Sequence, residues 1–195
     1  MLCLVVASLP VHVEVSPPVD HPTEDRLCDR WSECGRIVSR LQDSDSAYAD
    51  LLVRLEENLS ELEKDEVRVK MKRKISKALK VGGIPRQIRQ NFTMVFVNLS
   101  INNIEVVKAR RGKSIVLYLR CLSVGSLLRL REIVLSGLLL RLISDTIKLF
   151  IKSGRRVQLI IHSEDFSTCL SSLINAGGIR SLCLAEYCLI FLTIN

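Results

Sequence analysis

The chain has 195 residues, of which 48% are hydrophobic, 25% charged and only 5% aromatic. This composition is typical of one folded domain of ordinary size with an aliphatic core. No run of apolar residues approaches the roughly 20 that a transmembrane helix needs, so we expect no membrane span. The net charge of +7 permits contact with acidic proteins, nucleic acid or anionic lipid, but it does not indicate a fold.

The seven cysteines are scattered along the chain, and none of them forms a C-x-x-C pair. An odd number in apolar surroundings predicts reduced, buried thiols in a cytoplasmic protein rather than a disulfide framework. Residues 1–10 form a short apolar run that no basic residue precedes. We therefore favour a cytoplasmic protein, with a cleaved secretory signal as the alternative.

Residues 1–26 hold four of the five prolines and are predicted to form a flexible, proline-rich arm. A helical region follows over residues 27–84. A first helix, from about Glu24 to Gln42, is predicted by apolar residues at intervals of three and four, with Thr23 as its N-cap.

A second helix is predicted from Ser46 to Lys80, where apolar residues follow heptad spacing and acidic residues precede basic ones. Two interpretations remain open, a coiled coil that joins two copies and an amphipathic helix packed on its own domain. The polarity of charge would favour antiparallel pairing of two copies. The basic residues between 68 and 80 are interpreted as a solvated helix end rather than a phosphate-binding stripe. The candidate self-association seam comprises Leu52, Leu55, Leu59 and Leu62.

Residues 85–195 are predicted to form an α+β interaction domain, in which helices pack on an antiparallel sheet. A hairpin is predicted with its turn near Gly112. Ser136-Gly137 interrupts the long apolar helical run that follows it, either as a joint between two helices or as a kink in one. The predicted elements are a strand at Phe92–Leu99, a hairpin at Ile104–Cys121, helices within Leu127–Ile151, a strand at Val157–His162, a helix at Phe166–Ala176 and a last strand within Leu182–Ile194. The predicted core positions are Leu117, Leu119, Leu130, Leu139, Leu142, Ile147, Leu159, Ile161 and Leu170.

The sequence predicts no catalytic, cofactor or metal site. Gly112-Lys113-Ser114 resembles the end of a phosphate-binding loop, but Val107 stands where that loop needs glycine, and a strand follows instead of a helix. His162 and Cys169 lack further metal ligands nearby. No nucleophile, base and orienting group occur together, so we expect a protein that is not an enzyme.

A candidate basic binding patch lies at the turn of the hairpin and comprises Arg110, Arg111 and Lys113. Such a patch could bind RNA or another phosphate-bearing ligand. Proteins that read single strands expose aromatic side chains on which bases stack, and this hairpin offers only Tyr118. RNA or phosphate binding is therefore the alternative, and a protein partner is favoured.

Four motifs follow one another in the second half of the chain, namely residues 112–123 with their G-x-S strand ending in Cys-Leu-Ser, residues 127–132, Ser136-Gly137-Leu138-Leu139, and Glu164-Asp165-Phe166. Through these motifs the segment from about 85 to 178 resembles a family of invertebrate domains similar to the N-terminal domain of the TRADD death-domain adaptor. It implies a ferredoxin-like α+β sandwich and an adaptor-like protein-binding module of immune or cell-death signalling.

Overall fold

The computed structural model describes residues 22–111, 115–150, 157–176 and 187–194. Helices make up most of this part of the chain, and four strands form one sheet. The elements are α1 (Pro22–Ser44), α2 (Ser46–Glu56), α3 (Glu61–Val81), α4 (Arg86–Ser100), β1 (Ile104–Arg111), β2 (Ile115–Cys121), α5 (Val124–Leu135), α6 (Leu138–Ile147), β3 (Val157–Ile161), α7 (Ser163–Ala176) and β4 (Tyr187–Ile194).

The sheet has the strand order β1-β2-β4-β3, and every neighbouring pair is antiparallel. Buried and half-buried residues alternate along β2, which gives the sheet one face towards the core. Helices α4, α5 and α6 contact the sheet. The prediction of an α+β fold with an antiparallel sheet packed by helices is confirmed at this level.

Helix α1 runs along the edge of β1 and covers it. The Ser32 hydroxyl accepts a hydrogen bond from the Ala109 N–H at 2.9 Å and lies 3.2 Å from the Ala109 carbonyl oxygen, to which it donates. Gly35 lets the helix backbone approach the carbonyl of Val106. Because an exposed sheet edge offers unpaired backbone groups to other chains, this contact protects β1.

An aromatic cluster joins α1 to α4 at the centre of the core. The Trp31 and Phe92 rings meet edge to face with their centroids 4.6 Å apart, and Phe96 lies 6.0 Å from Trp31. All three side chains are buried. Buried residues of the helical region and of the sheet belong to one hydrophobic cluster, although the division into an arm, a helical region and an α+β domain stays a prediction.

Two elements differ from the prediction. The segment predicted as a strand at Phe92–Leu99 lies inside helix α4, so that prediction is wrong. The single helix predicted from Ser46 to Lys80 is two helices, because Ser60 caps α3 in a reciprocal capping box with Glu63 and the chain between α2 and α3 is not helical. Residues 22–26, assigned to the arm, belong to α1, and residues 1–21 lie outside the described residues.

Most predicted core positions are buried, namely Leu117, Leu119, Leu130, Leu139, Ile147 and Ile161. Leu142, Leu159 and Leu170 are only partly buried and pack on the outside of the cluster. In α6 the buried face contains Ile143 and Thr146 in place of Leu142. Gly137, with φ 71°, separates α5 from α6, which confirms the predicted interruption and identifies it as a break between two helices.

Candidate interaction surfaces

One residue of the predicted basic patch at the hairpin, Arg111, is paired within the chain. The guanidinium of Arg111 forms an ion pair with Asp25 at 2.8 Å, and its Nε lies 3.6 Å from a carboxylate oxygen of Glu24. Arg110 is exposed, and Lys113 lies outside the described residues. The first turn of α1 therefore compensates one of the three predicted charges.

The hairpin nevertheless places two cations beside its tyrosine. The Lys108 ammonium lies 4.4 Å from the centroid of the Tyr118 ring, and the Arg110 guanidinium lies 5.8 Å from it. Farther along the same strands Arg120 pairs with Glu105 at 2.7 Å. Burial raises the pKa of the Glu105 carboxyl although the charge of Arg120 opposes the shift. This face of the hairpin thus carries a small basic cluster around Tyr118.

The predicted leucine seam is not one continuous stripe in the fold. Leu52 and Leu55 belong to α2 and Leu59 to the link before α3, and all three are partly buried against the core. Leu62 lies in the first turn of α3 and is 74% exposed. The break before Ser60 therefore separates Leu62 from the other three. Whether two copies of the chain associate through these leucines stays a prediction.

Helix α3 presents a basic stripe to solvent that the sequence interpretation missed. Arg68 pairs with Asp65 along the helix, and Lys74 pairs with Asp45, whose carboxyl pKa is lowered by the hydrogen bond from that lysine. The other basic side chains include four at intervals of three, four and three, a spacing that places them on one side of a helix. This basic stripe comprises Lys70, Arg73, Lys77 and Lys80.

The basic stripe carries uncompensated charge. All four side chains are exposed, and no described acidic side chain lies within ion-pair distance of them. Nine of the 28 lysines and arginines lie between residues 67 and 104, where there is no aspartate or glutamate, which leaves 19 basic against 21 acidic residues elsewhere. The excess positive charge of the chain is thus concentrated in α3, α4 and their connection.

A shallow groove of about 510 Å³ lies between α1 and β1. Its lining includes Ser32, whose hydroxyl is committed to the backbone of β1, and Glu33, which pairs with Arg30 at 2.7 Å. The hydrogen bonds of Ser32 join α1 to β1, whereas the Glu33–Arg30 pair lies within α1.

The thiols of α1 are poorly suited to act as nucleophiles. Cys28 and Cys34 are free and buried, and burial raises the pKa of Cys28 to about 11 and that of Cys34 to about 12. The thiolate, which is the reactive form, is therefore scarce in the folded protein at neutral pH. Cys121 and Cys169 are also buried.

These thiols predict a stability loss in alkali. In the unfolded chain they ionise near the reference pKa of 9.0, whereas the fold keeps them protonated to about pH 11 or above. Their contribution is complete below pH 9 and is lost as pH rises through the folded pKa, by roughly 1.4 kcal/mol per pH unit for each thiol. Urea titrations across this range in the wild type and in Cys34→Ala measure it. A free energy of unfolding that falls equally steeply in both would refute the assignment.

Within the described residues, no group of three or more histidine, cysteine or acidic side chains is placed to hold a metal ion. None of the helices in this part of the chain is both long and apolar enough to cross a bilayer. No protein-family model, no curated protein and no solved structure matches the chain.

Proposed function

We propose that this protein is a non-enzymatic, cytoplasmic protein–protein interaction module that acts as an adaptor for an acidic partner. The observation that carries the proposal is the basic stripe of α3. The resemblance to the TRADD N-terminal domain suggests the process in which the adaptor acts, which is immune or cell-death signalling. The basic stripe, the fold and the placement of the aromatic side chains each support it.

The composition of the α3 surface favours a protein over a polyphosphate chain. Apolar side chains lie beside the basic stripe, with Val69 48% and Val81 83% exposed. A peptide with both acidic and apolar side chains satisfies both kinds of group, whereas a phosphate backbone satisfies only the charges. The aromatic residues that could stack on bases, Trp31, Phe92 and Phe96, are buried in the core.

The sheet topology supports the ferredoxin-like arrangement that the resemblance implies. β2 and β3 are parallel to each other because each is antiparallel to β4, which lies between them. The α5–α6 pair connects these two strands, so that the unit is a split β-α-β motif. In this arrangement helices pack on the sheet, and α3, which carries the basic stripe, packs on α1, α2 and α4.

Fluorescence anisotropy with a labelled acidic helical peptide tests the proposal. A probe of about 15 residues covers the stripe, whose length from Lys70 to Lys80 is about 15 Å. We expect the wild type to bind it and Lys70→Glu/Lys77→Glu to bind at least tenfold more weakly, which corresponds to about 1.4 kcal/mol. Arg129→Glu/Lys148→Glu is the matched control, because it makes the same charge change at exposed residues elsewhere and should bind as the wild type does.

RNA or phosphate binding through the hairpin is the second candidate, favoured by the Lys108 and Arg110 cations beside Tyr118. Fluorescence anisotropy with labelled mixed-sequence RNA in place of the peptide distinguishes the two candidate functions. RNA binding that weakens by orders of magnitude between about 50 and 200 mM salt, and that Lys108→Ser/Arg110→Ser abolishes, would favour this candidate. If the wild type binds neither probe, the adaptor proposal for the basic stripe fails.

A further inference from the structure

A second face of α3 is centred on Val69 and lies away from Lys70 and Lys77 of the basic stripe. The helix buries Val67, Met71, Ile75 and Leu79 in the core. Val69 is 48% exposed, and Leu62, two turns earlier, is 74% exposed on the same side. Ser76 follows at the same interval after Val69 and is half-buried. These three residues define a narrow line along the helix, which we call the Val69 face.

The charges beside the Val69 face are self-complementary. Asp65 and Glu66 precede Val69 by four and three residues, and Lys72 and Arg73 follow it by three and four. All four side chains are exposed. When two such helices run antiparallel with their valines opposed, the acidic turn of each helix lies at the level of the basic turn of the other. Asp65, which also pairs with Arg68 of its own helix, then lies on the same flank as Lys72 of the other copy, and Glu66 on the same flank as Arg73, each pair occurring twice by symmetry.

We infer that the Val69 face binds a second copy of this chain, with the two α3 helices antiparallel. A parallel pair is disfavoured because it sets the acidic turns against each other and the basic turns against each other. The antiparallel pair instead surrounds a Val69–Val69 contact with four ion pairs. The dimer contact shares Arg73 and Val69 with the adaptor surface, but Lys70 and Lys77, which test the adaptor function, lie about 80–100° around the helix from Val69.

The contact is weak and sensitive to salt. Helix α3 has 21 residues and is therefore about 30 Å long, so one helix pair buries much less than the roughly 800 Å² per partner of a stable complex. Exposed ion pairs are screened strongly once the ionic strength approaches about 1 M. We expect dimers that form at high protein concentration in low salt and dissociate when salt is added.

Charge-swapped variants test the pairing. One variant carries Asp65→Lys/Glu66→Lys and the other Lys72→Glu/Arg73→Glu, so that each faces like charges in a homodimer. In sedimentation velocity at about 50 mM salt we expect each variant alone to need at least about tenfold more protein to dimerise than the wild type. An equimolar mixture should form heterodimers at the wild-type concentration, because all four ion pairs are then restored.

Three control and cross-linking variants test whether the contact is made at Val69. Lys70→Glu/Lys77→Glu, which changes the same number of charges away from the Val69 face, should dimerise as the wild type does even where it no longer binds the acidic peptide. A single Val69→Cys should form an intermolecular disulfide on mild oxidation above the wild-type background, whereas Leu62→Cys alone should not, because Leu62 faces Ser76 of the second copy. A mixture of folded charge-swapped variants that stays monomeric, or equal cross-linking at Val69 and Leu62, would overturn the inference.

Discussion

Replacing Phe92 by alanine is expected to lower the free energy of unfolding by about 3–5 kcal/mol. The Phe92 ring is fully buried and packs edge to face on Trp31, and the Phe96 ring centroid lies 6.1 Å from that of Phe92. Removing it leaves a cavity where α1 and α4 meet and also deletes the aromatic contact. Because Trp31 is the only tryptophan, its fluorescence in a guanidinium titration reports both the altered packing and the unfolding transition.

Met94→Ala is the control for the Phe92 prediction. It lies in the same helix but is 39% exposed, so its truncation should cost less than about 1 kcal/mol. Phe92→Leu, which keeps an apolar side chain at the site, should fall between the two. Equal losses for Phe92→Ala and Met94→Ala would show that Phe92 does not occupy the centre of the core.

The same segment shows where the sequence misled the fold prediction. Residues Phe92–Leu99 are apolar at nearly every position, which is also the pattern of a strand buried on both faces. In the structure Phe92, Val95, Phe96 and Leu99 form a helical core stripe, and Val97 and Thr93 are buried as well because α4 has neighbours on several sides. A helix buried on most sides loses the polar face that identifies it in a sequence.

The hairpin could be predicted from the sequence because its two faces differ in burial. One face of β2 is in the core and the other is half-exposed, so the sequence itself alternates. The ion pair between Arg111 and Asp25 was not predictable, because it joins residues 86 positions apart whose meeting depends on how α1 lies along β1. The sequence therefore identified the hairpin charges but could not show which of them the fold neutralises.

The surfaces of helix α3 could be predicted only in part from the sequence. The sequence contains the intervals between Lys70, Arg73, Lys77 and Lys80, but other basic residues lie among them and obscure the pattern. The structure separates the four from Arg68 and Lys74, because these two are paired with Asp65 and Asp45. The four leucines of the predicted seam do not form one stripe, for a local reason. The capping box at Ser60 starts a new helix and ends the heptad register that connected Leu55 to Leu62.

A methyl group at Gly35 is expected to destabilise the protein by about 1–3 kcal/mol, although alanine is the better helix former. A Cβ atom there would lie 2.5 Å from the Val106 carbonyl oxygen, which belongs to the backbone of β1. Since neither backbone moves independently, α1 must lift away from the strand and stretch the hydrogen bonds between Ser32 and Ala109. Thermal unfolding followed by circular dichroism measures the loss.

Gly125→Ala is the matched control for Gly35→Ala, because it adds the same methyl group inside another helix, α5. Its Cβ would meet nothing nearer than the Ser123 hydroxyl at 3.6 Å. Without a clash, the substitution should leave the stability unchanged or raise it by up to about 1 kcal/mol. The two variants should therefore change stability in opposite directions. A Gly35→Ala variant as stable as Gly125→Ala would mean that α1 does not lie against the edge of β1, and the assignment of Ser32 as the group that closes this edge would fail with it.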